Sequence, residues 1–221
     1  MASKLLTEFL GTFFLVLTIG MTVLVWSDNP LVGNTLAPIA IGAVLTVLVY
    51  MGGHVSGAHY NPAVTLAIWI RGKIPTGEVA PYMGAQVVGA TLAAVAVAVI
   101  RDAPLQVMPA AETSAFEFFL LEFLFTFLLV LVILNVATSK GTEGNSFYGI
   151  AIGFTVLAGA FAAGPVSGGA FNPAVAIGPI LIDLVLGDGA SFGGLWIYLV
   201  ATFAGGSAAA FAFRVMSPDD I

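Results

Sequence analysis

The phrase Ser56-Gly57-Ala58-His59-Tyr60-Asn61-Pro62-Ala63-Val64 returns later in the chain as Ser167-Gly168-Gly169-Ala170-Phe171-Asn172-Pro173-Ala174-Val175. The copies differ only in the letters between Ser-Gly and Asn-Pro. Each follows an apolar helical segment and opens an apolar run too short to cross a bilayer. Non-helical backbone at membrane depth survives only where protein buries it or where it lines a watery cavity. A duplicated broken-helix element of this kind points to a solute pathway.

That reading requires lipid as the solvent, and composition supplies it. The chain of 221 residues is 59% hydrophobic and 8% charged, more apolar surface than a soluble domain of this length can hide. A net charge of −6 and six basic residues leave no phosphate-binding stripe, which excludes a nucleic-acid partner from the expectation. Without cysteine there is no disulfide framework, thiol nucleophile or thiolate metal site. The segment Met1 to Trp26 carries Lys4 and a long apolar stretch with no small-residue cleavage site. It reads as a retained first span, not a signal peptide.

Hydropathy predicts crossing segments near residues 5–26, 36–53, 79–100, 115–136, 147–163 and 193–214, with half-length pieces at about 61–70 and 172–186. The halves also match outside the phrase. Glu8-Phe9-Leu10-Gly11-Thr12-Phe13 pairs with Glu122-Phe123-Leu124-Phe125-Thr126-Phe127, and Ile39-Ala40-Ile41-Gly42 pairs with Ile150-Ala151-Ile152-Gly153. The expected fold is an all-α membrane protein with six transmembrane helices and two re-entrant half-helices in an inverted repeat. Its halves are residues 1–111 and 112–221, joined near Pro109–Thr113. With both termini cytoplasmic, Lys4, Arg71, Lys73, Lys140 and Arg214 lie inside and only Arg101 outside, which is the favoured charge asymmetry. The 56–64 loop then enters from the cytoplasm and the 167–175 loop from the other face, so the half-helices meet near the midplane.

Asn is a preferred N-cap, and Pro suits the first helical position because it has no N–H to leave unpaired. Asn61 and Asn172 are therefore expected to cap the half-helices, each side-chain oxygen accepting from a first-turn amide such as that of Val64 or Val175. The side-chain NH2 groups then point outward as donors to an oxygen-bearing solute. Two helix N-termini at one point carry roughly half a positive charge each and repel cations. Upstream, the carbonyls of Gly57, Ala58, His59, Ser167, Gly168, Gly169 and Ala170 form a ladder of acceptors. His54 and His59 fall on the cytoplasmic loop; without a nearby carboxylate or cysteine they make a poor metal site, so neither metal nor cofactor is expected. Gly42, Gly153, Gly89 and Gly205 read as positions of close helix packing, away from solute.

These features resemble the aquaporin and aquaglyceroporin family (major intrinsic proteins). The resemblance rests on the paired boxes Asn61-Pro62-Ala63 and Asn172-Pro173-Ala174, their Ser-Gly lead-ins, Glu8 and Glu122 in spans one and four, and Tyr82, Gln86, Gly89 and Ala90 in span three. It implies a homotetramer in a membrane, each subunit with its own pore for water or small neutral solutes. It also implies that Glu8 and Glu122 steady the carbonyl ladder; a proton relay is the alternative use of a carboxylate in lipid.

The resemblance places four outer-constriction side chains on Ile41, Ala160, Gly169 and Val175. Water-selective relatives carry an aromatic at the first and Arg at the last; glycerol-conducting relatives keep that Arg and follow it with Asp. Here the last pair is Val175-Ala176. Losing the guanidinium removes several donors and a fixed charge, and a unit charge about 4 Å away contributes roughly 4 kcal/mol at an effective dielectric of about 20. The expectation is a wide, apolar filter with fewer donors to grip a polyol. A bacterial subgroup associated with arsenic resistance also carries Val at this position and is thought to pass arsenite and methylated arsenicals. The chain is therefore expected to be a passive channel for small neutral solutes, including such arsenicals, glycerol-like solutes and water, in a bacterial inner membrane. The alternatives are an ordinary water or glycerol channel with a divergent filter, a structural membrane protein with a closed pore, and a leaky cation channel. The last is disfavoured because no acidic ring faces the pathway. An enzyme is not expected, since no nucleophile–base pairing recurs.

Overall fold

A computed structural model of the protein describes residues 1–23 and 36–220, and its regular elements are all helical among those residues. In chain order they are α1 (Ala2–Val23), α2 (Ala37–Ser56), α3 (Pro62–Ile70), α4 (Thr76–Arg101), α5 (Ala115–Ile133), α6 (Tyr148–Ser167), α7 (Pro173–Leu186) and α8 (Leu195–Met216). A π-helical turn, Leu134–Thr138, extends α5, and short 3-10 helices lie at Lys140–Thr142 and Ala190–Gly194. The six long apolar helices are α1, α2, α4, α5, α6 and α8. By contrast α3 has 9 residues and α7 has 14, about 14 and 21 Å at the helical rise, against a hydrocarbon core of about 30 Å.

Several expected boundaries move by a few residues; α2, for example, runs on from the expected 53 to Ser56. Of the span expected at 5–26, the part from 24 to 26 lies outside the described residues; α1 runs from Ala2 to Val23. The fifth span, expected to stop at residue 163, continues to Ser167. Pro165 sits in its last turn and does not end it.

Both helices that precede a repeated phrase end alike. Gly57 and Gly168 each adopt φ 88°, the left-handed conformation of a helix C-cap, and each donates its N–H back to the carbonyl four residues earlier. The chain then turns into the loop that leads to α3 or α7. The order crossing, crossing, half, crossing thus occurs twice, and the half-helices point their N-termini at one another.

Packing repeats the same symmetry. Helix α1 lies along α4, α5 along α8, and α2 against α6. A methyl group at Gly89 would sit 2.5 Å from the carbonyl oxygen of Phe9, and one at Gly205 would sit 2.5 Å from that of Phe123. The α2–α6 contact is as close, because a Cβ at Gly42 would reach within 2.8 Å of the Gly153 carbonyl. Small residues let backbones approach where lipid offers no hydrophobic drive for association. Outward, the helices present Phe14, Val47, Val99, Phe154, Trp196 and Phe211. Exposed apolar side chains on every long helix fit a hydrocarbon surround.

Candidate pore

The site is built from the two left-handed loops and the half-helices that they start. Asn61 Oδ1 accepts from the N–H groups of Ala63 at 2.8 Å and Val64 at 3.4 Å, and Asn172 Oδ1 accepts from Ala174 at 2.9 Å. The second cap therefore closes on Ala174 and not on Val175, as the sequence alone had it. Proline as the first helical residue leaves the next N–H nearest the cap oxygen.

The amide nitrogens do more than point outward. Asn61 Nδ2 donates to the carbonyl of Phe171, and Asn172 Nδ2 donates to the carbonyl of Tyr60, each at 2.9 Å. One hydrogen of each NH2 thus ties the halves together, and the second is not used in that bond. Tyr60 and Phe171 hold φ of 49° and 48°, which non-glycine residues rarely adopt. Their N–H groups go the other way, to Glu8 Oε2 and Glu122 Oε2, each at 2.7 Å. Bonds on both sides of the residue fix the strained conformation.

Glu8 and Glu122 are fully buried. Glu8 accepts from Ser56 Oγ at 2.6 Å, His59 N at 3.0 Å, Tyr60 N, and Gln86 Nε2 at 2.7 Å. Glu122 accepts from Ser167 Oγ at 2.7 Å, Ala170 N at 3.1 Å and Phe171 N. The first half carries the longer chain: Gln86 also donates to Thr65 Oγ1, which lies 3.1 Å from His59 Nδ1. Tyr82 donates its hydroxyl to the Ser56 carbonyl at 2.9 Å, and Tyr198 does the same for Ser167 at 2.5 Å.

Among the described residues, two cavities share a border inside the bundle. The larger, about 840 Å³, is bordered by Asn61, Asn172, Ile41, Ala160, Gly169 and Val175 together, and by the loops at Ala58, His59, Gly168 and Ala170. The smaller, about 580 Å³, is lined by Gly57, His54, Lys73 and the segment from Val136 to Asn145. Val49, Ala58, Ile133 and Ile152 border both. Beyond the smaller cavity the segment is tied down: Asp220 pairs with Arg71 at 2.8 Å and accepts the Lys140 N–H at 2.9 Å.

Several expectations need correction. Ser167 borders neither cavity, and its carbonyl accepts from Tyr198, so the acceptor ladder does not begin there. Gly57 faces the smaller cavity. His54 belongs to the last turn of α2, not to the loop. The segment Pro104–Met108, which follows α4 and was not expected at the path, lines the larger cavity. The sequence reading passed over Tyr60 and Phe171, although their place beside each Asn-Pro was visible. It also passed over Gln106 and Asp220, for which no local pattern gives a signal.

A lipid-exposed helical body enclosing a path lined by carbonyls, amides and small apolar side chains is a membrane channel. The family model described as Major intrinsic protein matches residues 1–213, and the chain belongs to that family. It is 37% identical over 215 residues to aquaporin NIP1-4 of Oryza sativa subsp. japonica, covering 96% of this chain and 76% of that protein. To nodulin-26 of Glycine max it is 37% identical over 223 residues, covering 98% and 79%. The solved aquaglyceroporin from Plasmodium falciparum shares the fold, with a TM-score of 0.83 at 22% identity over 98% of this chain and 97% of that one. Members of the family are passive channels for water and small solutes in membranes, and not enzymes.

Proposed function

We propose that this channel passes small neutral solutes through a wide apolar filter made by Ile41, Ala160, Gly169 and Val175, and that arsenite, methylated arsenicals and glycerol-like solutes accompany water. The observation that carries the reading is Val175 at the larger cavity beside three other uncharged residues, where water- and glycerol-selective relatives hold an arginine. An apolar ring passes solutes that shed little hydration and excludes charge. The boxes Asn61-Pro62-Ala63 and Asn172-Pro173-Ala174 supply the cation barrier at the midplane through two helix N-termini. Carbonyls of Ala58, His59, Gly168, Gly169 and Ala170 supply acceptors along the path, and Glu8 and Glu122 hold the loops that present them.

The chain divides into repeats at residues 1–111 and 112–221. The family resemblance supports a homotetramer with one pore per subunit. The basic residues Lys4, Arg71, Lys73, Lys140 and Arg214 support cytoplasmic termini, with the larger cavity facing outward. The likeness to the arsenic-resistance subgroup supports a bacterial inner membrane.

Stopped-flow measurements on reconstituted vesicles test the solute range. Arsenite and methylarsenite flux above that of empty vesicles, both solutes being uncharged at neutral pH, is expected beside water and glycerol flux. Arsenical flux equal to that of empty vesicles, with water and glycerol passing, would leave a water or glycerol channel with a divergent filter. No flux of any solute would leave a structural protein with a closed pore.

A further inference from the structure

The segment between α4 and α5 borders the larger cavity at Pro104–Met108, and Gln106 is the polar residue among these five. Leu105 and Val107 are buried, and Gln106 stands exposed between them at the cavity edge. Gln106 Nε2 lies 3.0 Å from Asp183 Oδ1 and 2.8 Å from Asp188 Oδ1. Asp183 is fully buried on α7 and also accepts from Ser191 Oγ at 2.5 Å and Ser191 N at 3.2 Å. Two carboxylate oxygens around one amide fix its orientation, because the amide oxygen turned toward them would be repelled.

A primary amide nitrogen has two hydrogens, and both are taken. The free end of Gln106 is therefore its carbonyl oxygen, an acceptor with two lone pairs. We propose that Gln106 is a specificity-determining residue at the mouth of the larger cavity. It receives solutes through their own O–H or N–H groups and favours neutral polyhydroxy solutes and ureas, which bring several such donors at once, over water. Where an arginine would offer donors to a solute oxygen, this chain offers an acceptor to a solute hydrogen, and Asp183 and Asp188 keep it turned that way. The anchor is rigid, since Asp183 sits on the same half-helix as Val175 and is itself fixed by Ser191. This inference rests on the channel reading above and adds which hydrogen-bonding class the mouth selects.

The experiment compares wild type with Q106M in reconstituted vesicles, reading glycerol, urea and osmotic water permeability by stopped flow. Methionine keeps the length and removes the acceptor. Glycerol and urea permeability are expected to fall about fivefold, the factor that one hydrogen bond carries, with water changed less than about twofold. Because Q106M leaves Asp183 short of a partner and can impair folding, D188A provides the second arm. Asp188 is exposed, and losing it loosens Gln106 by one bond, so D188A is expected to lower the glycerol-to-water ratio by a smaller factor. The double variant is expected to behave as Q106M alone. An unchanged glycerol-to-water ratio in both single variants would overturn the proposal, as would strictly additive effects in the double variant. Wild-type vesicles that carry no glycerol or urea would instead overturn the channel reading on which it stands.

Discussion

The side-chain amide of Asn61 donates to the carbonyl oxygen of Phe171 at 2.9 Å, from one half of the repeat to the loop of the other. With its mirror bond from Asn172 to Tyr60, it makes each asparagine both the cap of its own half-helix and the brace of the opposite loop. Neither task can be lost without touching the other half.

Asn61→Ala removes a cap, a loss of about 1 kcal/mol, and leaves the Phe171 carbonyl without its donor, a further loss of about 1–3 kcal/mol. Asn61→Ser keeps a capping oxygen but cannot bridge, so its unfolding temperature in detergent is expected between those of the alanine variant and wild type. Equal melting of the two variants would show that the cap contributes nothing here.

Glu8 and Glu122 are equivalent in the repeat and unequal in their partners. Only Glu8 also receives a side-chain amide, from Gln86. Replacing either glutamate with glutamine puts an NH2 against donors that need an acceptor, at about 1–3 kcal/mol for each donor left unmatched. Thermal unfolding is expected to show Glu8→Gln as the more damaging change. A larger effect from Glu122→Gln would contradict this ranking.

Val175→Arg restores a charge and bulk at the larger cavity. Glycerol and arsenite flux are expected to fall about tenfold, equivalent to about 1.4 kcal/mol at the barrier, while water flux falls less. Unchanged permeability to all three would show that residue 175 does not set the constriction.

Asp220 lies beyond the crossing helices, and the Ser139 side chain, the Lys140 N–H and the Arg71 guanidinium hold its carboxyl below the usual carboxylate range. A carboxyl depressed on folding contributes fully above its unfolded value and loses that contribution as pH falls through the lower, folded one. The tie to the segment at Lys140 is therefore expected to be constant between about pH 5 and about pH 8 and to fail only in stronger acid. Tryptic cleavage after Lys140 reads it: per unit trypsin activity, the rate should be flat with pH in wild type and rise about fivefold in Asp220→Asn. Pronounced pH dependence across that window would assign control of the segment to another group.

Much of this architecture is legible in the letters. Helix spacing follows hydropathy, and the half-helices follow from Asn-Pro after a glycine-rich turn, because both are consequences of local backbone chemistry. The glycines at 42, 89, 153 and 205 mark the close contacts for the same reason. The cross-bonds of Asn61 and Asn172 were not legible, since they join groups that only the completed fold brings together. Gln106 is another such case: its amide is oriented by two aspartates far along the chain, and no spacing rule connects them. Ser167 was misread because the same Ser-Gly pattern serves both as loop opening and as a docking point for Tyr198.

Val49, Ala58, Ile133 and Ile152 come from α2, the loop after it, α5 and α6, and together they border both cavities. A hydrated ion that passes from one cavity to the other meets four side chains without a hydrogen-bonding group, and only backbone such as the Ala58 carbonyl can replace the water it gives up. The side chains themselves tax either sign of charge alike. Under the proposed filter at Val175, this apolar stretch would stand apart from that residue, so that passage of bulky neutral cargo need not bring a leak of salt.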